Sequence, residues 1–323
     1  DAWNASIEGW TYVTGTDLAR QVGVEGYYVR IAPPEAAEAA SPAGGFVPIK
    51  NRPPGQSAEP AAHLVSPDAL ALVRFGLRAP DHPGVLNTVK VIDNLLRVET
   101  PYGPAWRRYN DDGYGEHEDG SHFDGTGVGR AWPLLTGERA HYELAAGRRQ
   151  EAERLLRALE AFANQGGMMP EQVWDVPDIP ERELFFGKAS GSAMPLVWAH
   201  AEYVKLCRSL REGRVFDLPP QPVQRYQVEG TGSPYTLWRF NHKCRVIPAG
   251  KSLRLEVLAP AVVHWSTDGW RTRRELKAQD TGLGVHIADL PTDDLKIGTT
   301  VVFTFYWPDV GHWEGIDFDV EIE

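Results

Sequence analysis

Carboxylate, amide and aromatic side chains meet in one short segment of this sequence. Residues 167–175 read GMMPEQVWD and place Glu171 between a proline and an amide, close to Trp174. An ionised carboxylate only accepts hydrogen bonds and can take a proton from an attacking water, so Glu171 is a candidate general base. Two alternatives stay open from the residues alone: Glu171 caps a helix or pairs with an arginine, and Trp174 braces the segment by packing.

A second segment combines planar faces with bidentate donors. Residues 106–116 read WRRYNDDGYGE. A sugar ring has an apolar C–H face and a rim of hydroxyl groups, so its binding site needs aromatic platforms beside Arg, Asp and Asn. The composition fits a carbohydrate site that includes Arg108 and Tyr109. A solvated turn held by surface ion pairs, which contribute little stability, would have the same composition.

Two other motifs do not fit the chemistry that they superficially suggest. His117 and His122 lie close together with acidic residues between them, but they match no zinc-protease spacing. The glycine-rich run 125–129 has no strand before it and no Lys-Ser/Thr after it, so we interpret it as the entry to a helix rather than a phosphate loop. The sequence therefore indicates no metal and no organic cofactor.

Charge and composition exclude several partners. The 323 residues carry 33 Lys and Arg against 44 Asp and Glu, a net charge of -11, without a basic block that could complement nucleic acid. No apolar run approaches the ~18 to 20 residues that cross a bilayer, so no membrane partner is expected. Cys207 and Cys244 are too few for a disulfide scaffold, and two free thiols are expected.

Hydrophobic periodicity divides the chain into a helical part and a strand-rich part. Helical spacing predicts helices in six segments, at about 66–77, 83–96, 127–135, 138–146, 150–164 and 192–210. Long loops are predicted over 1–60, which Pro33-Pro34 interrupts, and over 97–124. Beyond residue 226 apolar residues alternate, for example Leu253, Leu255 and Val257, which predicts a small antiparallel β domain.

Four longer strings resemble a known family. The segments TPYGPAWRRYNDDGYGEHEDG, GVGRAWPLLTGERAHYELAAGR, GGMMPEQVWD and SAMPLVWAHAEYVKLCRSL are similar to glycoside hydrolase family 15, in its bacterial glucoamylase and glucodextranase branch. The resemblance extends from about Trp3 to Phe216. It implies a mainly α chain, part of an (α/α)6 barrel with its active site in the loops at one end. It also implies inverting, exo-acting hydrolysis of α-glucans, with release of β-glucose from non-reducing ends.

The resemblance assigns roles to individual residues. Glu171 falls on the family's general base, Arg108 on an arginine that binds sugar hydroxyls beside the scissile bond, and Trp198 on an aromatic wall of the pocket. Trp132 and Tyr109 lie next to matched positions and are further substrate-binding candidates. The family's general acid lies in an upstream Trp-Glu-Glu motif, which this sequence lacks.

Because the acid motif is absent, we expect this chain to be only part of an enzyme. Inversion needs one carboxyl group to protonate the leaving oxygen and another to activate water. We therefore expect a C-terminal part of a larger enzyme, inactive alone, whose upstream half carries the acid. The expected domains are 1–217, the C-terminal half of the barrel, then 218–226, a linker, and 227–323, a β-sandwich. Export is implied by the family alone.

Several functional alternatives stay open at this point. The substrate linkage could be α-1,4, α-1,6 or that of trehalose, because linkage choice depends on subsites beyond the scissile bond. An inactive carbohydrate-binding or scaffold protein is the alternative of another class, although such a protein needs no catalytic base. In the β domain, residues 263–270 resemble a segment of starch-binding modules, so Trp265 and Trp270 either stack on glucose or fill a core.

Overall fold

The computed structural model consists of two compact units, each with its own hydrophobic core. The residues described are 1–31, 42 and 44–323, of which the helical unit comprises 11–31 and 45–230 and the β unit comprises 1–10, 42, 44 and 231–323. Helices account for 30% and strands for 23% of the chain. The fold class is therefore mixed, whereas the resemblance implies a mainly α chain.

The helices follow the apolar stripes of the sequence. In chain order they are α1 Ala2–Thr11, α2 Asp17–Val22, α3 Ala71–Arg74, α4 Pro83–Leu95, α5 Pro133–Ala145, α6 Arg149–Ala161, α7 Val197–Glu212 and α8 Pro220–Pro222. Turns of 3-10 helix lie at Ala61–His63, Pro67–Leu70 and Pro180–Arg182, and a π-helical segment lies at Val223–Val228. Within the described residues, every helix is too short or too polar to cross a membrane.

Capping explains where several predicted helices begin and end. Ser66 caps the turn before α3, with its Oγ accepting from the Asp68 amide at 3.2 Å, as its Ser-Pro-Asp sequence predicts. Helix α7 ends at Gly213 in the left-handed conformation, with φ of 73°. The predicted helices at 127–135 and 138–146 are wrong as a pair, because residues 131–132 form a strand and one helix begins at Pro133.

The predicted loop over residues 1–60 is also wrong in part. Helices α1 and α2 and four short strands form there, while Pro33-Pro34 lies outside the described residues. Thr16 caps α2, because its Oγ1 accepts from the Ala19 amide at 3.0 Å, and Gly23 with φ of 74° ends the helix. Thr16 and Gly23 are typical capping residues, but the prolines and glycines of the same segment favour loops and led to the prediction of a loop.

Helices α5, α6 and α7 form the centre of the helical unit. Helix α5 is buried along most of its length, and Leu134, Leu155 of α6 and Leu206 of α7 are all almost fully buried in one core. Gly137 allows the close approach of α5 to α7, because a Cβ there would lie 2.8 Å from the Glu202 Cγ. This core supports the loops at the ends of the helices.

The helical unit also contains small antiparallel sheets that the sequence analysis missed. Their strands are β1 Tyr12–Thr14, β2 Gly26–Tyr28, β3 Phe46–Pro48, β4 Ala58–Pro60, β5 Arg97–Thr100, β6 Gly103–Arg107 and β7 Ala131–Trp132. Strands β1 and β2 form one sheet, β3 and β4 a second, and β5, β6 and β7 a third. In the third sheet, Trp106 pairs with both Arg97 and Trp132, so part of the predicted irregular segment 97–124 is strand.

The β unit consists of two sheets that share one core. Its strands are β8 Tyr235–Arg239, β9 Val246–Ile247, β10 Ser252–Val257, β11 Val262–Ser266, β12 Arg274–Lys277, β13 Gln279–Asp280, β14 His286–Leu290, β15 Thr300–Trp307, β16 His312–Trp313 and β17 Phe318–Ile322. One sheet has the order β13-β14-β10-β8, and the other has β12-β11-β15-β17-β9 with β16 paired to β15. The predicted alternation is confirmed, since Leu253, Leu255 and Val257 are buried. The prediction of an antiparallel domain is wrong at two strand pairs, because β8 runs parallel to β10 and β9 runs parallel to β17.

The two units differ from the predicted domain limits in two places. The predicted linker 218–226 is mostly helical and belongs to the helical unit, because the proline at position 220 begins a helical turn. Helix α1, predicted with the catalytic part, belongs to the β unit. Its Trp3 donates the indole N–H to the carboxylate of Glu256 at 3.0 Å.

Candidate active site

The segment that carries Glu171 is fixed as an extension of the small sheet. Val173 forms bridges to Ala131, next to Trp132 on β7, and to Ala189 on its other side. The Val173 amide donates to the Ala131 carbonyl at 2.9 Å, and the Trp174 amide donates to the Lys188 carbonyl at 2.8 Å. The segment is therefore held by backbone bonds on both sides, which restricts the position of the carboxylate beside it.

Glu171 forms hydrogen bonds through both its backbone and its side chain. Its amide donates to the Ala193 carbonyl at 2.8 Å. The Tyr114 hydroxyl donates to Glu171 Oε2 at 3.4 Å. Burial, with the nearby Glu171 charge, raises the pKa of Tyr114, so this phenol keeps its proton near neutral pH and stays a donor. Because Glu171 is only half-buried, its carboxylate is accessible to a water or a substrate.

Arg108 lies at the end of β6 and is oriented by a bidentate ion pair. Its Nε and Nη2 donate to Asp112 at 2.8 and 2.9 Å, and the Asp112 carboxylate also accepts from the Tyr114 amide at 3.1 Å. Asp112 is buried while Arg108 stays partly exposed. One buried carboxylate thus fixes both the arginine and the loop that carries the tyrosine contacting Glu171.

Three aromatic rings surround the Arg108 guanidinium. Its carbon lies 5.2 Å from the Tyr109 ring centroid, 5.3 Å from that of Tyr114 and 5.4 Å from that of Trp132. The Trp132 indole N–H is buried without a hydrogen-bond partner among the described residues. An unpaired donor of this kind is uncommon in a folded protein.

Two of the predicted substrate-binding residues, Tyr109 and Trp198, make further contacts away from Glu171. Tyr109 is 8% exposed and packs in a small core with Leu64, and the Arg30 guanidinium lies 4.2 Å from its ring centroid. Trp198, near the start of α7, is 59% exposed and lines a cavity with Arg74 and other residues. In the described chain, no hydrogen bond or ring contact joins Trp198 to Glu171, and its assignment to the pocket wall stays a prediction.

A buried charge network behind Glu171 was missed by the sequence analysis. Asp175 accepts from Arg107 Nε at 2.8 Å and from Arg130 Nη1 at 3.2 Å, and the side chains of Asp175 and Arg130 are fully buried. Arg130 Nη2 also donates to the Glu116 and His117 carbonyls at 3.0 Å each. The network joins three loops at one point. The sequence signal for this network is Asp175 itself, a charged residue directly after the apolar pair Val173-Trp174.

Trp174 has the packing role that the sequence left open. It is fully buried, and its indole N–H donates to the Pro177 carbonyl at 2.8 Å. The Arg130 guanidinium lies 4.2 Å from its ring centroid. The indole therefore supports the segment from behind instead of facing a ligand.

The other motifs have structural roles. His117 contacts Asp124 at 3.3 Å, and among the described residues no group of three His, Cys, Asp or Glu side chains is arranged to hold a metal ion. Gly127 lies in a loop and not in a helix; a Cβ there would lie 1.9 Å from the Gly115 carbonyl oxygen, so only glycine fits. Cys207 and Cys244 are free, as expected.

Comparisons with known proteins relate this chain to one family of glycosidases. Residues 61–208 match the model of glycosyl hydrolases family 15. A glucoamylase of Clostridium sp. (strain G0005) is 42% identical over 227 residues, which are 70% of this chain and 29% of the relative. A crystal structure of a bacterial glucoamylase complexed with acarbose is similar with a TM-score of 0.60 and 41% identity, covering 69% of this chain and 30% of the other.

A further relative is a cycloisomaltooligosaccharide glucanotransferase of Niallia circulans, 27% identical over 100 residues, which are 27% of this chain and 10% of the relative. The similarity in fold, with the family match, supports an (α/α)-type glycosidase domain. The resemblance carried by the motifs is confirmed, since residues 61–208 match the model of glycosyl hydrolases family 15 and both glucoamylases are similar over about 70% of this chain. It spans less than a third of the length of the glucoamylases that it matches.

Proposed function

We propose that this chain supplies the general-base side of a glucan-hydrolysing glycosidase, with Glu171 as the base. The observation that carries the proposal is the position of Glu171 on a segment fixed by the sheet. Its carboxylate contacts Tyr114, whose ring lies beside the Arg108 guanidinium. In this arrangement Glu171 takes a proton from water as the water attacks the anomeric carbon. Family membership supports the reaction class.

The sugar is held, in this proposal, by Arg108 and the aromatic residues beside it. Asp112 neutralises the guanidinium and fixes its plane, which leaves one edge of Arg108 for sugar hydroxyls. The unpaired indole N–H of Trp132 donates to another oxygen. Preorganised donors of this kind add transition-state stabilisation, because they need no reorganisation during the reaction.

The same proposal includes the finer features that the resemblance implies. The reaction is exo-acting and inverting, it releases β-glucose from α-glucans, and the helical unit is part of an (α/α)6 barrel. The general acid comes from sequence outside these 323 residues, because an inverting glycosidase needs a second carboxyl group roughly 6.5 to 9.5 Å from the base and this sequence lacks the family's Trp-Glu-Glu acid motif.

The test combines this chain with the part of the family domain that it lacks. Glucose release from maltoheptaose is measured for the chain alone, for the combined protein, and for the combined protein with Glu171→Gln. We expect release only from the combined protein, at least about 1,000-fold loss with Glu171→Gln, and β-glucose as the first anomer in proton NMR. Turnover that survives Glu171→Gln would show that another group is the base, and α-glucose as the first anomer would exclude inversion.

A further inference from the structure

A second site that could accept a ligand lies in the β unit. A cavity of about 520 Å³ opens where strand β8 ends, and its size falls within the range of small-molecule pockets. Two of its lining residues are aromatic, with the Phe240 and Trp307 ring centroids 6.1 Å apart. Trp307 is stacked on Phe305, whose centroid is 5.5 Å away. The aromatic wall is therefore fixed in position from behind.

Polar groups converge on this aromatic wall. Asn241 is exposed, and its amide has no hydrogen-bond partner among the described residues. Glu314 accepts the Trp307 indole N–H on Oε2 at 2.9 Å, which leaves Oε1 available. The Asn241 amide, which donates and accepts, and Glu314 Oε1, which accepts, therefore line the cavity, where they can bind hydroxyl groups.

A third part of the lining is a fixed ion pair. The Glu256 carboxylate is almost fully buried, accepts from the Trp3 indole N–H and lies 3.4 Å from Arg239 Nε. The Arg239 guanidinium is 5.5 Å from the Trp10 ring centroid and 6.0 Å from that of Trp3. With Glu314, the lining holds two carboxylates and one guanidinium, which disfavours phosphates and other anionic ligands.

We propose that this cavity binds the chain of an α-glucan. A glucose unit offers an apolar C–H face to Phe240 and Trp307 and a hydroxyl rim to Asn241 and Glu314. The ligand is neutral, as the charge of the lining requires. The identity of the sugar rests on the proposed function, whereas the site itself rests on the cavity and its residues.

The site differs from the one suggested by the sequence. Trp265 is 3% exposed and lies in the core of the β unit, so it cannot stack on a sugar. Trp270 donates its indole N–H to Asp317 at 2.8 Å, and neither tryptophan lines the cavity. The exposed indole of Trp313 lies on the outer face of the six-stranded sheet, against Tyr306, and it provides the competing surface for the test.

The test measures binding of soluble starch and maltoheptaose by the full chain with Glu171→Gln, which prevents turnover. In this background we add Asn241→Ala and Glu314→Gln, in affinity electrophoresis and in calorimetry. Each should weaken binding by about 5-fold, or about 1 kcal/mol, because Asn241→Ala removes one hydrogen bond and Glu314→Gln replaces the charged acceptor Oε1 with an amide N–H that can only donate. Thermal unfolding should not change, because Asn241 is exposed and the amide oxygen that Glu314→Gln introduces still accepts from Trp307.

Two matched variants separate the possible outcomes. If Trp313→Ala weakens binding and the cavity variants do not, the sugar lies on the outer sheet face and the proposal is overturned. If only Arg108→Ala weakens binding, the sugar lies beside Glu171; the cavity proposal then fails and the proposed hydrolase function stands. Loss on Asn241→Ala and Glu314→Gln supports the cavity even if the combined protein releases no glucose. No binding by the parent chain overturns it.

Discussion

Replacing Asp175 with asparagine is the sharpest test of how the Glu171 segment is held. The asparagine keeps the shape of the side chain but removes the charge that Arg107 and Arg130 share. Arg130 is fully buried, and its Nη2 still donates to two backbone carbonyls in the variant. The change therefore leaves a buried cation with hydrogen bonds but without a counter-ion.

The magnitude follows from this geometry. Removing one partner of a buried ion pair costs about 3 to 5 kcal/mol, and the partial exposure of Arg107 together with the retained carbonyl bonds of Arg130 places Asp175→Asn near the lower end. The matched control is Glu153→Gln, which breaks an exposed pair with Arg149 on α6 and should cost about 0.5 kcal/mol or less.

Urea unfolding, followed by the circular dichroism of the helices, measures both variants. We expect Asp175→Asn to lower the free energy of unfolding of the helical unit by about 3 kcal/mol. A loss below about 1 kcal/mol, comparable with that of Glu153→Gln, would refute the argument that this ion pair fixes the loops behind Glu171.

Three other predictions concern groups outside the site. Burial, with two nearby carboxylates, raises the pKa of Glu138 to about 7, so the folded chain keeps a proton that the unfolded chain loses above about pH 4.5. The free energy of unfolding should therefore fall by up to about 3 kcal/mol from pH 4.5 to 7. Urea unfolding of Glu138→Gln should not show that fall. Burial raises the pKa of the Cys244 thiol to about 12, so a disulfide reagent should label only Cys207 until denaturant is added. Trp265→Ala should cost about 3 to 5 kcal/mol in thermal or urea unfolding, and Trp270→Ala less than about 1.5.

Elements with a long apolar stripe could be predicted from the sequence, and those formed by distant pairing could not. Helices α4, α6 and α7 have such stripes, and strands β10 and β15 alternate over at least six residues. Strand β7 has two residues, too few to show a period, and it exists because Trp132 pairs with Trp106. Nothing local in the sequence specifies that pairing, so a helix was predicted across it.

The candidate site shows the same limit. Glu171 and Arg108 stood out by residue type and by the family motifs, but their positions depend on partners elsewhere in the chain. Arg130 and Asp175 are separated by 45 residues and Arg107 and Asp175 by 68. Ion pairs at such separations have no spacing that a sequence pattern can show, so the network behind the site was found only in the structure.

The contacts that fix Glu171 lie within one unit. Its segment is held by the small sheet, by the Ala193 carbonyl and by the Asp175 ion pairs, all between residues 97 and 200. A base held in this way is preorganised before the acid is added, and preorganisation lowers the barrier because the reaction then needs no reorientation. In the proposed mechanism, supplying the general acid should therefore raise turnover without a further rearrangement of the Glu171 segment. Arg108→Ala should then raise KM in the combined protein, since in the proposed mechanism Arg108 binds the sugar and takes no proton.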